Sequence, residues 1–244
     1  MNPIILIPAR MASTRLPGKP LALIAGRPMI LHVLAIAQAA ALGPVAVACA
    51  EPEIAEAVIA AGGYAILTDP ALPSGSDRIH AALQQLDPSR HHDIIINLQG
   101  DVPTLPPDHL TAVLEPLHAG YDIGTLVTAC TPAEALSPAI VKAACAFTNA
   151  PTAPALYFSR APIPYGPGPL WHHIGLYAYT RAALNRFVQL PPSPLEQRES
   201  LEQLRALEAG LRIGVTRVET TAFGIDTPAD LDRVRKLYPQ DSQA

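Results

Sequence analysis

Three cations, Arg10, Arg15 and Lys19, lie in one short stretch, "PARMASTRLPGKP", between Pro8 and Pro20. Two carboxylates, Asp101 in "QGDVP" and Asp226 in "GIDTPADL", stand in short polar segments much further along the chain. Basic side chains and loop amides hold phosphate oxygens, and carboxylates offer the oxygen ligands that a hard cation takes. Together these residue types suit a triphosphate with Mg2+. Each also has a plainer reading. A cluster of cations is often only a solvated loop, an aspartate after a strand is often a turn residue, and an aspartate before Thr-Pro can simply start a helix. Their common placement is what argues for phosphate. There is no Walker A pattern, and no G-x-G-x-x-G follows the first apolar run, so the basic loop is neither a P-loop nor a dinucleotide fingerprint.

That placement depends on the elements that carry the loops. "IILIPA" (4–9) is a short continuous apolar run, as expected of a buried parallel strand. Further strands are expected at "VAVACA" (45–50), "YAILT" (64–68) and "DIIINLQ" (93–99). Helices are expected between them: 28–42 with Pro28 in its first turn, "PEIAEAVIAAGG" closed by Gly62 and Gly63, and 76–86 with Ser76 or Gly75 near its cap. This alternation predicts an open parallel α/β sheet, in which ligands bind beyond the carboxyl ends of the strands. The basic loop and "QGDVP" lie at such ends. "GIDTPADL" does too if "FGI" continues a strand. The second half is less regular. Strands are expected at 122–130, 140–149, 172–180 and "RIGVTRVE", and helices at "RAALNRFVQL", 194–210 and 227–238, the last with Thr227 as N-cap and Pro228 at N1. No composition break marks a linker, so one domain over 1–244 is expected, with an excursion at about 131–210.

Composition narrows the classes. Of the 244 residues, 49% are hydrophobic and only 16% charged, enough for a large core and unlike a disordered chain. The net charge of −4 and the sparse aromatic residues speak against nucleic acid as a partner. Cys49, Cys130 and Cys145 are widely spaced in apolar runs and read as reduced core residues. "MNPIILIPAR" lacks the charged start of a signal peptide, and no run reaches the roughly 18 apolar residues of a membrane span. A cytoplasmic protein without membrane partners is expected.

The opening "IPARMASTRLPGKPL" resembles the signature of the 3-deoxy-manno-octulosonate (Kdo) cytidylyltransferases, the CMP-Kdo synthetases. The likeness continues through "PSGSDRI", "INLQGDVP", "LYFSRAPIP", "HHIGLYAY", "PSPLEQRESLEQLR" and "GIDTPADLDRVR", in order and over nearly the whole chain. The opening is shared among nucleotide-sugar pyrophosphorylases; "YFSRAPIP", "SPLE" and "LEQLR" are more specific to the Kdo branch. The resemblance implies a Rossmann-like nucleotidyltransferase fold with a mixed, mostly parallel sheet and an extended dimerisation region. It implies the reaction of CTP with Kdo to give CMP-Kdo and diphosphate, Mg2+ as cofactor, and a homodimer serving lipopolysaccharide assembly.

It also implies site residues. Arg15 and Lys19 would neutralise the β- and γ-phosphates, with Arg10 near the α/β region and Ala9 lending backbone. Asp101 and Asp226 would hold Mg2+. Ser74, in the "PSGS" backbone, and Arg78 would face cytosine. Gln99, Arg160, His173, Tyr177 and Glu196 would contact the sugar. The plainer alternatives are an ordinary first-turn helix acid for Glu196 and a surface cation of a helix for Arg78, and His80, His91 and His92 read as surface residues. The chain departs from the family pattern at Val102 (usually Glu), at Ser76-Asp77 (usually Thr-Glu), at Ala50-Glu51 (often Thr-Asp) and in a short 164–172 loop. Other readings are a cytidylyltransferase for 8-amino-Kdo or sialic acid, and a non-catalytic CTP-binding protein.

Overall fold

The structure is a computed structural model, and it describes residues 1–220 and 223–238. The chain divides into two compact units, Met1–Pro107 with Ala222–Ala244, and Asp108–Thr221. The excursion expected at about 131–210 lies inside the second.

In the first unit, strands β1 (Pro3–Ala9), β2 (Val45–Cys49), β3 (Ala65–Leu67) and β4 (Ile94–Asn97) form a parallel sheet in the order β3-β2-β1-β4. Ile5, Leu6, Ile7, Val47, Ile95 and Ile96 are inaccessible to solvent, which is why these strands read as continuous apolar runs rather than alternating ones. Helices α1 (Met29–Ala39), α2 (Pro52–Ala60) and α3 (Gly75–Leu86) bury Val33, Leu34, Ile54, Val58, Ile79 and Leu83. The cap of α3 is Ser74 rather than Ser76 or Gly75: its Oγ accepts the Asp77 N–H at 3.1 Å. Pro28 falls just outside α1, in a short antiparallel pair of Leu23–Ile24 with Arg27–Pro28.

The second unit carries β5 (Ile123–Ala129), β6 (Lys142–Cys145), β7 (Thr152–Ser159), β8 (Trp171–Thr180) and β9 (Ile213–Arg217). Their order is β8-β5-β9-β7-β6, and only β5 and β9 run parallel. The mixed sheet of the fold class is therefore present. Strand β7 is absent from the sequence reading. The helix expected over 194–210 is two, α5 (Pro194–Glu199) and α6 (Gln203–Glu208), following α4 (Arg181–Phe187). Ser200 breaks it in the left-handed region, at φ 54° and ψ 49°. Within that excursion Phe158, Leu176 and Leu201 are buried, whereas Leu156 is well exposed. Among the described residues no helix is long and apolar enough to cross a membrane.

The final helix α7 (Pro228–Arg235) belongs to the first unit. Leu231 and Val234 pack with Ile24, Met29 and Ile225, and Leu16 of the basic loop joins that cluster. One apolar contact thus ties the basic loop to the segment that bears Asp226.

Candidate active site

Beyond the carboxyl ends of β1 and β4 the first unit holds a cavity of about 360 Å³. Of the expected residues, Ala9, Arg10, Arg15, Lys19, Ser74, Arg78, Gln99, Asp101 and Asp226 all line it. Lys19 Nζ lies 2.6 Å from Asp101 Oδ2 and 3.3 Å from Asp226 Oδ1, and Arg15 Nη2 lies 3.0 Å from Asp226 Oδ2. Two cations and two carboxylates from three distant segments meet within one network of ion pairs.

The local sequence explains the convergence. Gly18 sits at φ 71°, in the region that costs glycine nothing. Its N–H donates to the Met11 carbonyl at 3.2 Å, closing the loop before the single-turn 3-10 helix that carries Lys19. Glu51 Oε2 accepts the Met11 N–H at 2.8 Å, a tether across 40 residues. Gly100 keeps β1 and β4 close, because a Cβ there would stand 2.8 Å from the Pro8 carbonyl oxygen. "FGI" continues no strand. Ile225 is placed instead by donating its N–H to the Asp101 carbonyl at 2.9 Å, which sets Asp226 beside Asp101. Asp230 Oδ2 accepts from the Asp226 N–H at 3.2 Å and the Thr227 N–H at 2.9 Å. Burial alone would raise the Asp230 carboxyl, but these bonds and the Thr227 hydroxyl hold it below its ordinary value.

Arg78 is no surface cation. It is 1% exposed, and its guanidinium donates to Thr68 Oγ1 at 2.6 Å and to the Asp69 carbonyl at 3.2 Å. Burial, then Arg10, lowers its pKa, while Glu51 and Asp69 oppose the shift. Gln99 Nε2 donates to Asn97 Oδ1 at 3.2 Å.

The remaining expected residues lie in the second unit. Glu196 is both the capping-box acid of α5 and the partner of Arg205, with contacts of 2.5 and 2.8 Å between them. Arg160 donates to the carbonyls of Glu199 at 2.9 Å, Ser200 at 3.4 Å and Pro138 at 3.1 Å. His173 is buried, with Nε2 2.9 Å from Thr125 Oγ1, and burial pushes its pKa down to about 3. Burial, then Tyr179 and Glu202, raises the Tyr177 phenol well above its ordinary value. His172 differs from its neighbour: its Nδ1 lies 3.3 Å from Glu134 Oε1.

Sequence reasoning missed Glu51, noticed only as a departure, and Thr125 and Asp230, read as parts of a strand and a helix. For Glu51 one signal existed: a glutamate at the N-cap position before Pro52 forms no cap of α2, so its carboxylate is free to reach elsewhere.

A parallel α/β sheet with cations and paired carboxylates at its carboxyl edge defines a protein of the nucleotidyltransferase class. The chain belongs to the cytidylyltransferase family, whose model matches residues 4–213. It is 59% identical to the 3-deoxy-manno-octulosonate cytidylyltransferase of Rhodopseudomonas palustris over 96% of each chain. It is 57% identical to the enzyme of that name from Parvibaculum lavamentivorans, over 96% of this chain and 92% of the relative. The solved structure of CMP:2-keto-3-deoxy-manno-octonic acid synthetase complexed with CTP superposes with a TM-score of 0.89, at 42% identity, covering 97% of this chain and 98% of that one.

Proposed function

We propose that the chain is a cytidylyltransferase that activates Kdo: CTP and Kdo give CMP-Kdo and diphosphate, a cytoplasmic step toward lipopolysaccharide. The observation that carries this reading is the convergence of Arg15, Lys19, Asp101 and Asp226 in one cavity of about 360 Å³. The high identity to relatives named for this reaction supports the choice of substrates.

The anomeric hydroxyl oxygen of Kdo bonds to the α-phosphorus, the bond to the bridging oxygen breaks, diphosphate leaves, and the hydroxyl proton passes to solvent. Such transfers rest on positioning and charge stabilisation more than on a dedicated base. Arg15 and Lys19 meet the charge that grows on the leaving diphosphate, and Arg10 meets the α/β region. Arg78, with the backbone around Ser74 and Ala9, frames the base. Asp101 and Asp226 would hold Mg2+. Two carboxylates that reach one ammonium can reach one cation, and Mg2+ is commonly held by one or two carboxylates plus substrate phosphates. Bound there, Mg2+ supplies charge neutralisation and Lewis acidity. Gln99, Arg160, His173, Tyr177 and Glu196 are proposed as sugar contacts on the family resemblance, and a homodimer on the same ground, with exposed Leu156 as a candidate contact.

The test is diphosphate release from a panel of nucleoside triphosphates against Kdo, 8-amino-Kdo and sialic acid, with and without Mg2+. Release with CTP and Kdo that requires Mg2+ is expected. Release only with another acid sugar overturns the choice of substrate. Light scattering decides the dimer: a mass near twice 25.8 kDa is expected.

A further inference from the structure

Thr125 lies on β5 opposite the irregularity of β8 between Ile174 and Tyr177, and it is inaccessible to solvent. Its hydroxyl fills that irregularity. Oγ1 stands 2.8 Å from the Leu176 carbonyl oxygen, 3.1 Å from the Ile174 carbonyl oxygen and 2.9 Å from His173 Nε2.

A hydroxyl has one proton. The two carbonyls are acceptors only, so at these distances the proton of Thr125 must lie between Oγ1 and a carbonyl. Toward His173 the oxygen can then only accept. Nε2 must carry the hydrogen of that contact, and a neutral imidazole with a proton on Nε2 has none on Nδ1. We infer that Thr125 is a positioning residue that fixes His173 as the Nε2–H tautomer, leaving Nδ1 as a bare acceptor for a hydroxyl of the acid sugar. The sugar half of this inference rests on the proposed reading of His173; the tautomer rests on the geometry alone.

The surroundings support a neutral, held ring. Phe158 meets it edge-on with centroids 4.9 Å apart, and Tyr177 lies 5.5 Å away at a tilt. Burial, with His172 adding a smaller push, keeps the imidazole uncharged at neutral pH. No hydrogen bond of Nδ1 is formed among the described residues. The consequence is directional. His173 can take a hydrogen from a substrate hydroxyl or amine but cannot donate one at Nδ1. An analogue lacking that hydrogen leaves this acceptor unpaired once the sugar has displaced water from it.

The experiment combines a spectrum with kinetics. In long-range 1H–15N correlation of the 15N-labelled protein at pH 7, the His173 signals are those lost in His173→Gln. They are expected to show protonated Nε2 and bare Nδ1. A proton on Nδ1, or an imidazolium, overturns the inference whatever the enzyme's substrate proves to be. Thr125→Val removes the hydroxyl at nearly constant shape. It is expected to mix the tautomers and raise the KM for Kdo roughly tenfold, the scale of one lost buried partner, with the KM for CTP unchanged. Thr125→Ser is expected to restore both. A Thr125→Val enzyme with wild-type KM for Kdo and an unmixed Nε2–H signal refutes a positioning role. If the wild type does not use Kdo, the substrate reading fails, while the wild-type spectrum still decides the tautomer.

Discussion

The Ile225 N–H donates to the Asp101 carbonyl oxygen at 2.9 Å, across more than half the chain. This one backbone bond sets the second carboxylate of the site beside the first, so that Asp101 and Asp226 both reach Lys19 Nζ. The pairing needs no strand at "FGI"; it needs the apolar contact of Ile225 with Met29, Ile24 and Leu231.

Asp101→Asn and Asp226→Asn keep the side-chain shape and remove the charge that a divalent cation requires. Each is expected to lower Mg2+-dependent diphosphate release by roughly 100-fold or more, with circular dichroism unchanged. Titration of Mg2+ against rate checks it; an unchanged rate and Mg2+ dependence in either variant removes that residue from the site.

Lys19→Ala and Arg15→Ala each delete a cation that is proposed to face the leaving diphosphate. Turnover is expected to fall roughly 100-fold, as when one donor to a developing charge is lost. Steady-state kinetics at saturating CTP read this directly. Wild-type kcat in both variants would remove the basic loop from the chemistry.

Glu51 holds the basic loop through the Met11 N–H rather than capping α2. Glu51→Asp is one methylene shorter and suits the N-cap. The helix is expected to gain about 1 kcal/mol from the cap, while the KM for CTP rises about fivefold through the lost tether. Thermal melts and CTP kinetics on the same preparation separate the two effects. A lower melting temperature with unchanged KM would refute the tether.

The first unit's fold was legible because a parallel strand buried on both faces reads as an unbroken apolar run, as in "IILIPA" and "DIIINLQ". Strand β7 was not, since "TAPALYFS" carries Pro154 within the strand and lies in a stretch crowded with turn formers. The helix break at Ser200 was hidden for another reason. There the Arg160 guanidinium takes the carbonyls of Glu199 and Ser200, a contact across 39 and 40 residues that no local pattern records. The site divides in the same way. Arg15, Lys19, Asp101 and Asp226 stand out because loop residue types announce them. Glu51 and Thr125 act through side chains that reach 40 and 48 residues away, and their own neighbours in sequence explain them as a helix start and a core strand.

Gly100→Ala would place a methyl 2.8 Å from the Pro8 carbonyl and 3.3 Å from Ile30 Cδ1. Backbone cannot yield cheaply there, so a loss of about 2 kcal/mol is expected, or about 5 °C in melting temperature for a chain of this size. Differential scanning calorimetry decides it; an unchanged melting temperature would contradict the close approach.

The pair of Glu196 and Arg205 gives a pH dependence. Burial pushes the Glu196 carboxyl up, but the Arg205 guanidinium and the Ser193 N–H outweigh it and hold the carboxyl below its ordinary value. A lowered folded pKa means that the stabilisation is complete above the unfolded carboxyl value of about 4.3 and is lost as pH falls through the folded value. Arg205→Met is expected to cost about 3 kcal/mol at pH 7 by stranding a nearly buried carboxylate, and progressively less below pH 4. Urea unfolding at pH 7 and pH 3.5 checks the sign. An equal loss at both values would show that packing, not charge, dominates.

Whether this cavity activates an acid sugar is decided by one assay: diphosphate release with CTP, Kdo and Mg2+, run beside the same mixture containing Asp226→Asn protein. Release that is stoichiometric with CMP-Kdo, requires Mg2+ and collapses in the variant is the expected result. No release from CTP and Kdo by the wild-type chain, or equal release by Asp226→Asn, would contradict it.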